Sequence, residues 1–154
     1  MSVYIFDASI WIHINRYHPP DIFTSLWSRL LESVSSGHLL SPDEVLHELE
    51  KGVDDLAERL KRIDRLFVAL EEEVQFAVSR VMKECPGLCD VEADRNRADP
   101  FVIALAMVRS GTVVSAEGRR RSNVARPRIP DACERVGVAH IDWFGFLRAQ
   151  EWKV

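Results

Sequence analysis

The stretch VYIFDASIWI, Val3 to Ile12, decides how the rest of the chain is read. Val3–Phe6 is apolar and β-rich at every position, as expected of a strand covered on both faces rather than one with a wet side. Asp7 ends that run. Turn chemistry explains it poorly, because ASIWI resumes the apolar pattern at once. In an open parallel sheet, ligands gather beyond the carboxyl ends of the strands. An acid at that place is therefore a candidate functional group.

Outward from this strand the punctuation is that of alternating strands and helices. DIFTSLWSRLLESVSSG (21–37) has helical apolar spacing and a glycine stop at Gly37. After Leu39-Leu40, SPDEVLHELEKG (41–52) predicts a helix. Ser41 would be its N-cap, Pro42 its first residue, and Glu44 would close an S-x-x-E capping box. Leu56, Leu60 and Ile63 continue helically, and VQFAVSRVMKEC (74–85) is amphipathic up to Pro86-Gly87. DPFVIALAMVRSG (99–111) predicts a helix capped by Asp99, with Pro100 in its first turn and Gly111 as its stop. TVVS (112–115) is β-rich, PDACERVG (130–137) helical, VAHI (138–141) a strand, and DWFGFLRAQ (142–150) a helix opened by Asp142. The expected fold is one α/β domain over residues 1–154, with a small parallel sheet and many helices.

The chain has 154 residues, 47% of them hydrophobic and 29% charged, a normal mixture for a soluble domain with a real core. No apolar run is long enough to span a membrane, and the N-terminus lacks a basic n-region. Three cysteines, Cys85, Cys89 and Cys133, suit a reducing, cytoplasmic setting. Their spacing does not fit a zinc site, so unpaired thiols are expected. The net charge of −4 exerts no global pull on nucleic acid. EGRRRSNVARPR is locally basic, however. Its Arg119, Arg120, Arg121, Arg126 and Arg128 could contact phosphates, although a solvated loop is the commoner reason for such a run.

The acids fall into place along one edge. Asp7 follows the first strand, and Glu117 follows TVVS by one residue. Asp99 opens the helix that returns antiparallel to that strand, so it too reaches the carboxyl edge. Glu44 and Glu48 begin the helix after Leu39-Leu40. Carboxylates brought together raise one another's pKa unless a cation neutralises them. Oxygen-only ligands point to a hard ion, Mg²⁺ or Mn²⁺, which binds phosphate oxygens and lowers the pKa of a bound water. Each acid also has a plain alternative: Asp99 as a cap, Glu44 as the capping-box partner, Glu117 as a loop residue.

These residues resemble a known family. YIFDASIWI is similar to the opening motif of PIN-domain nucleases, SPDEVLHEL to their second acidic motif, ADPFVIALA to their third and TVVSAE to the strand carrying their fourth. PPDIFTSLW, VVSAE and RIPDACERVGV resemble the PIN-like group labelled DUF4411. The resemblance spans nearly the whole chain. It implies a three-layer α/β/α fold and Mg²⁺- or Mn²⁺-dependent cleavage of RNA by the toxin of a toxin–antitoxin pair. A cognate antitoxin would be a partner, and a homodimer is implied as well. Asp7 matches the first acid and Asp99 the third. Ser9 matches the hydroxyl residue that steadies the cluster, and Ser115 the hydroxyl residue two positions before the fourth acid. The second acid is Glu44 or Glu48; the EL context favours Glu48. The fourth is Glu117, where most such nucleases have Asp.

Two other strand-acid folds fit less well. A haloacid-dehalogenase phosphatase needs a second Asp where Ser9 stands, and a receiver domain needs a mid-chain Asp after a third strand. The alternative of another class is a PIN-like chain that has lost catalysis and serves as a binding module for RNA or protein. Trp11, Trp27, Trp143 and Trp152 could form a dimer face if exposed; burial in the core is the default for each.

Overall fold

The computed structural model describes residues 2–89, 97–118 and 127–154. Arg119, Arg120, Arg121 and Arg126 lie outside them. Five short strands run parallel: β1 (Tyr4–Phe6), β2 (Leu39–Pro42), β3 (Phe67–Val68), β4 (Thr112–Val114) and β5 (Ala139–Ile141). Their order is β3-β2-β1-β4-β5. The described helices are α1 (Ala8–Tyr17), α2 (Thr24–Ser35), α3 (Asp43–Glu50), α4 (Leu56–Lys61), α5 (Glu72–Glu84), α6 (Asp99–Arg109), α7 (Ile129–Val136) and α8 (Trp143–Gln150). None is long and apolar enough to cross a membrane.

The order moves outward from β1 to β3, then jumps back to β4. Right-handed crossovers therefore place α1–α4 on one face and α5–α7 on the other. Helix α8 joins the first face, where Phe146 packs edge-on against Tyr4 and Phe6 at centroid distances of 5.0 and 4.9 Å. The architecture is the α/β domain with a small parallel sheet that the alternating pattern implies, in the three α/β/α layers that the resemblance implies. Helix α6 lies against β1, β2 and β4 and under α5. It is buried from Val102 to Ala106, which explains why its sequence is apolar nearly all round. Trp11, Trp27 and Trp143 are core residues and Trp152 is partly buried against them, so these tryptophans form no exposed dimer face.

Three sequence expectations change. Ser41 is not a helix cap. It sits in β2, fully buried, where its hydroxyl donates to the Phe6 carbonyl (2.6 Å) and accepts from the Trp11 indole N–H (3.0 Å). Pro42 takes the cap position instead, without a side-chain bond, and Glu44 closes no capping box. Asp99 is likewise not a cap: Ala98 is, and Asp99 is the first residue of α6. Gly111 is not the left-handed stop, because Ser110 adopts that conformation (φ +52°). Gly111 is small for another reason, since a Cβ there would lie 3.0 Å from the Val3 carbonyl oxygen. Gly37 does act as predicted, ending α2 at φ +81°.

The Ser41 hydroxyl joins β1, β2 and α1, and that arrangement can be tested. Ser41→Ala leaves the buried Trp11 N–H without an acceptor and should cost about 1–3 kcal/mol. In a urea-denaturation double-mutant cycle with Trp11→Phe, the two effects should couple by more than ~0.5 kcal/mol. Simple additivity would contradict the assignment.

Candidate functional site

The sheet's pairing delivers the first two acids side by side. Phe6 is in register with Val114, and the Asp7 N–H donates to the Val114 carbonyl at 3.1 Å. Asp7 therefore leaves β1 beside the point where the chain leaves β4 towards Glu117. The third acid arrives from α6, which runs back to this edge and presents Asp99 in its first turn. Carboxyl oxygens of Asp7, Asp99 and Glu117 lie within 4.8 Å of one another. Asp7 and Asp99 are almost fully buried, and Glu117 is half-buried.

Each carboxylate is held differently. One oxygen of Asp7, Oδ2, accepts the Ser9 hydroxyl (2.6 Å) and the Ser9 N–H (3.3 Å). The other, Oδ1, is sealed from solvent with no hydrogen-bond partner among the described residues. Ser9 Oγ in turn accepts the Ala116 N–H at 3.0 Å, tying the start of α1 to the turn after β4. Glu117 Oε2 accepts the Ile129 N–H at 3.0 Å, at the start of α7. Asp99's carboxylate joins the cluster from the first turn of α6.

Burial is the largest reason that all three acids hold their protons more tightly than usual. Asp99 is pushed up to about 10, first by burial and then by the charges of Asp7, Glu117 and Glu48. The N-terminus of α6 favours the ionised form, but burial among like charges outweighs it.

The remaining candidates divide. Glu48 lies outside the group of three, yet it acts on both Asp99 and Glu117. Its Oε1 accepts the Ala98 N–H at 3.2 Å. Glu44 lines a cavity of about 360 Å³ with His47, Glu48 and Phe101. Its Oε1 is buried without a partner among the described residues. Arg128 is exposed, and its charge pulls Glu117 downward, against the effect of burial. Ser115 is fully buried and meets His140.

Two neighbours had no sequence signal. His140, on β5, is 25 residues from Ser115 yet hydrogen-bonds to it across the β4–β5 pair. Cys133, on α7, lines a cavity of about 490 Å³ that also borders Glu117. Burial, the neighbouring Cys85 and the three acids push its thiol up to about 12, so it is inert rather than nucleophilic. All three cysteines are free of disulfides, and among the described residues no cysteine belongs to a metal-type cluster.

The family model for the domain of unknown function DUF4411 matches residues 4–154. The chain belongs to the DUF4411 family. Among solved structures, this DUF4411 chain is similar to the DNA-bound VapBC from Salmonella typhimurium. The two are 17% identical, with a TM-score of 0.55 over 93% of this chain and 99% of the other. It is also similar to PAE2754 from Pyrobaculum aerophilum, at 17% identity and a TM-score of 0.52 over 98% of each chain. Likeness at this identity establishes the fold, which is PIN-like. No curated protein matches the chain.

The cluster sets the direction of a pH effect. Asp99's folded-state pKa of about 10 exceeds its ordinary 3.8. Between those values the folded chain keeps a proton that the unfolded chain has released. Metal-free stability should therefore be highest below the lower value and fall as pH rises through the upper one, by at most about 1.4 kcal/mol per pH unit. Asp99→Asn should flatten that slope. Urea midpoints measured in chelator at several pH values between these limits check both, and a slope of opposite sign would contradict the electrostatics.

Proposed function

We propose that this DUF4411 protein is a metal-dependent endoribonuclease, hydrolysing RNA phosphodiester bonds in the cytoplasm as the toxin of a toxin–antitoxin pair. The observation that carries the reading is the convergence of three carboxylates from three separate segments at the sheet's carboxyl edge. The unpartnered Asp7 Oδ1 and an all-oxygen donor set fit a hard divalent cation, Mg²⁺ or Mn²⁺. Such an ion, when bound, supplies Lewis acidity and a water of lowered pKa.

The chain's own groups prepare that site. Ser9 fixes one Asp7 oxygen, and the other is left without a hydrogen-bond partner among the described residues. Glu48 adds negative charge to Asp99 and Glu117 from the adjacent helix, which favours it over Glu44 as the second acid. Glu117 reaches the cluster despite its longer arm. Arg128 stands beside Glu117 and is assigned to a substrate phosphate. Arg119, Arg120, Arg121 and Arg126 are given the same role on sequence grounds, with affinity that weakens as salt rises. RNA as substrate, a cognate antitoxin and a homodimer rest on the PIN-domain resemblance, an analogy of family rather than of site.

Mn²⁺ at about a hundred times its dissociation constant should raise unfolding free energy by about 2.7 kcal/mol. Asp7→Asn should lose that gain and abolish metal-dependent cleavage of RNA, with the circular dichroism spectrum retained. Undiminished cleavage by this variant would sink the assignment. A folded wild type that neither binds Mn²⁺ nor cleaves RNA would instead be a catalytically degenerate binding module.

A further inference from the structure

The Ser115 hydroxyl is fully buried and has two neighbours at bonding distance. His140 Nε2 lies at 2.7 Å and the Glu117 peptide nitrogen at 3.3 Å. The peptide N–H can only donate. A hydroxyl carries one proton and two lone pairs. If His140 also donated, the Ser115 proton would be shut in with no acceptor among the described residues. Ser115 therefore donates to His140 Nε2, whose ring in its neutral form carries its proton on Nδ1. That choice fixes the hydroxyl rotor and leaves a lone pair aimed at the Glu117 N–H.

The same turn is held at the next residue by Ser9, which accepts the Ala116 N–H. Glu117's carboxylate is then tied to the start of α7 through the Ile129 N–H. Without the Ser115 hydroxyl, the turn keeps the Ser115 N–H bond to the Ile141 carbonyl (3.3 Å), but the Glu117 peptide loses its side-chain link to β5, and the carboxylate's origin is less firmly held.

We propose that His140 is a positioning residue. By accepting the Ser115 proton it orders the Ser115–Glu117 turn and sets where the Glu117 carboxylate stands against Asp7 and Asp99. The effect of that order on cation binding rests on the function proposed above; the order itself does not.

The test compares His140→Leu, which removes the acceptor, with His140→Gln, whose side-chain carbonyl can replace it. His140 is only part-buried, on a strand at the sheet's edge, so both variants should fold. In metal-free protein, NMR hydrogen exchange at the Ala116 and Glu117 amides should accelerate in His140→Leu and stay near wild type in His140→Gln. Calorimetric titration with Mn²⁺ should show affinity about 10–100-fold weaker for His140→Leu and largely rescued in His140→Gln. Unchanged exchange in His140→Leu overturns the proposal whatever the metal does. Equal disturbance in both variants also overturns it, because the acceptor would then not matter. If wild type binds no Mn²⁺, the metal reading fails, and amide exchange alone decides the role of His140.

Discussion

Three carboxyl groups held within 4.8 Å and largely withdrawn from water cannot all be charged without a neutralising partner. Much of the local structure is arranged around that constraint. The acids come from the ends of two paired strands and the first turn of the most buried helix, elements too well packed to move apart. The fold holds the charges together, and the free energy for doing so comes from the surrounding apolar core. Protonation relieves the repulsion, and a bound cation would do the same.

Around the cluster, each hydrogen bond restrains a carboxylate from outside. Ser9 holds Asp7, the Ile129 amide holds Glu117, and Glu48 secures the Ala98 amide just before Asp99. In these three contacts the donors are backbone amides and a small hydroxyl. They orient the acids without themselves carrying a full opposing charge.

The fold was largely legible from sequence because burial on both faces leaves continuous apolar runs, as at Val3–Phe6 and Thr112–Val114. Where two elements share one apolar run the pattern failed. ASIWIHINRY continues directly from β1, and only the structure separates α1 from the strand. β3, two residues long, is too short to register. Ser41 misled because S-x-x-E has the same spelling whether the serine caps a helix or ends a strand. Asp99 misled in a subtler way: Asp-Pro is a normal helix start, and only the αR backbone of Ala98 moves the cap one residue earlier. The acidic triad could be anticipated from the order of elements. His140 could not, since its partner lies on a neighbouring strand and no local spacing records that contact.

The join between α6 and β4 has a further consequence. Ser110 and Gly111 make the whole connection, and Gly111 lies so close to the Val3 carbonyl that even a methyl group would crowd it. With no slack there, α6 works as a ruler between Asp99 and the strand leading to Glu117. One residue added within the helix would rotate Asp99 by about 100° and shift it about 1.5 Å along the axis, turning its carboxylate away from the other two. A change of length in this segment would therefore open the acidic cluster even where none of its side chains is touched.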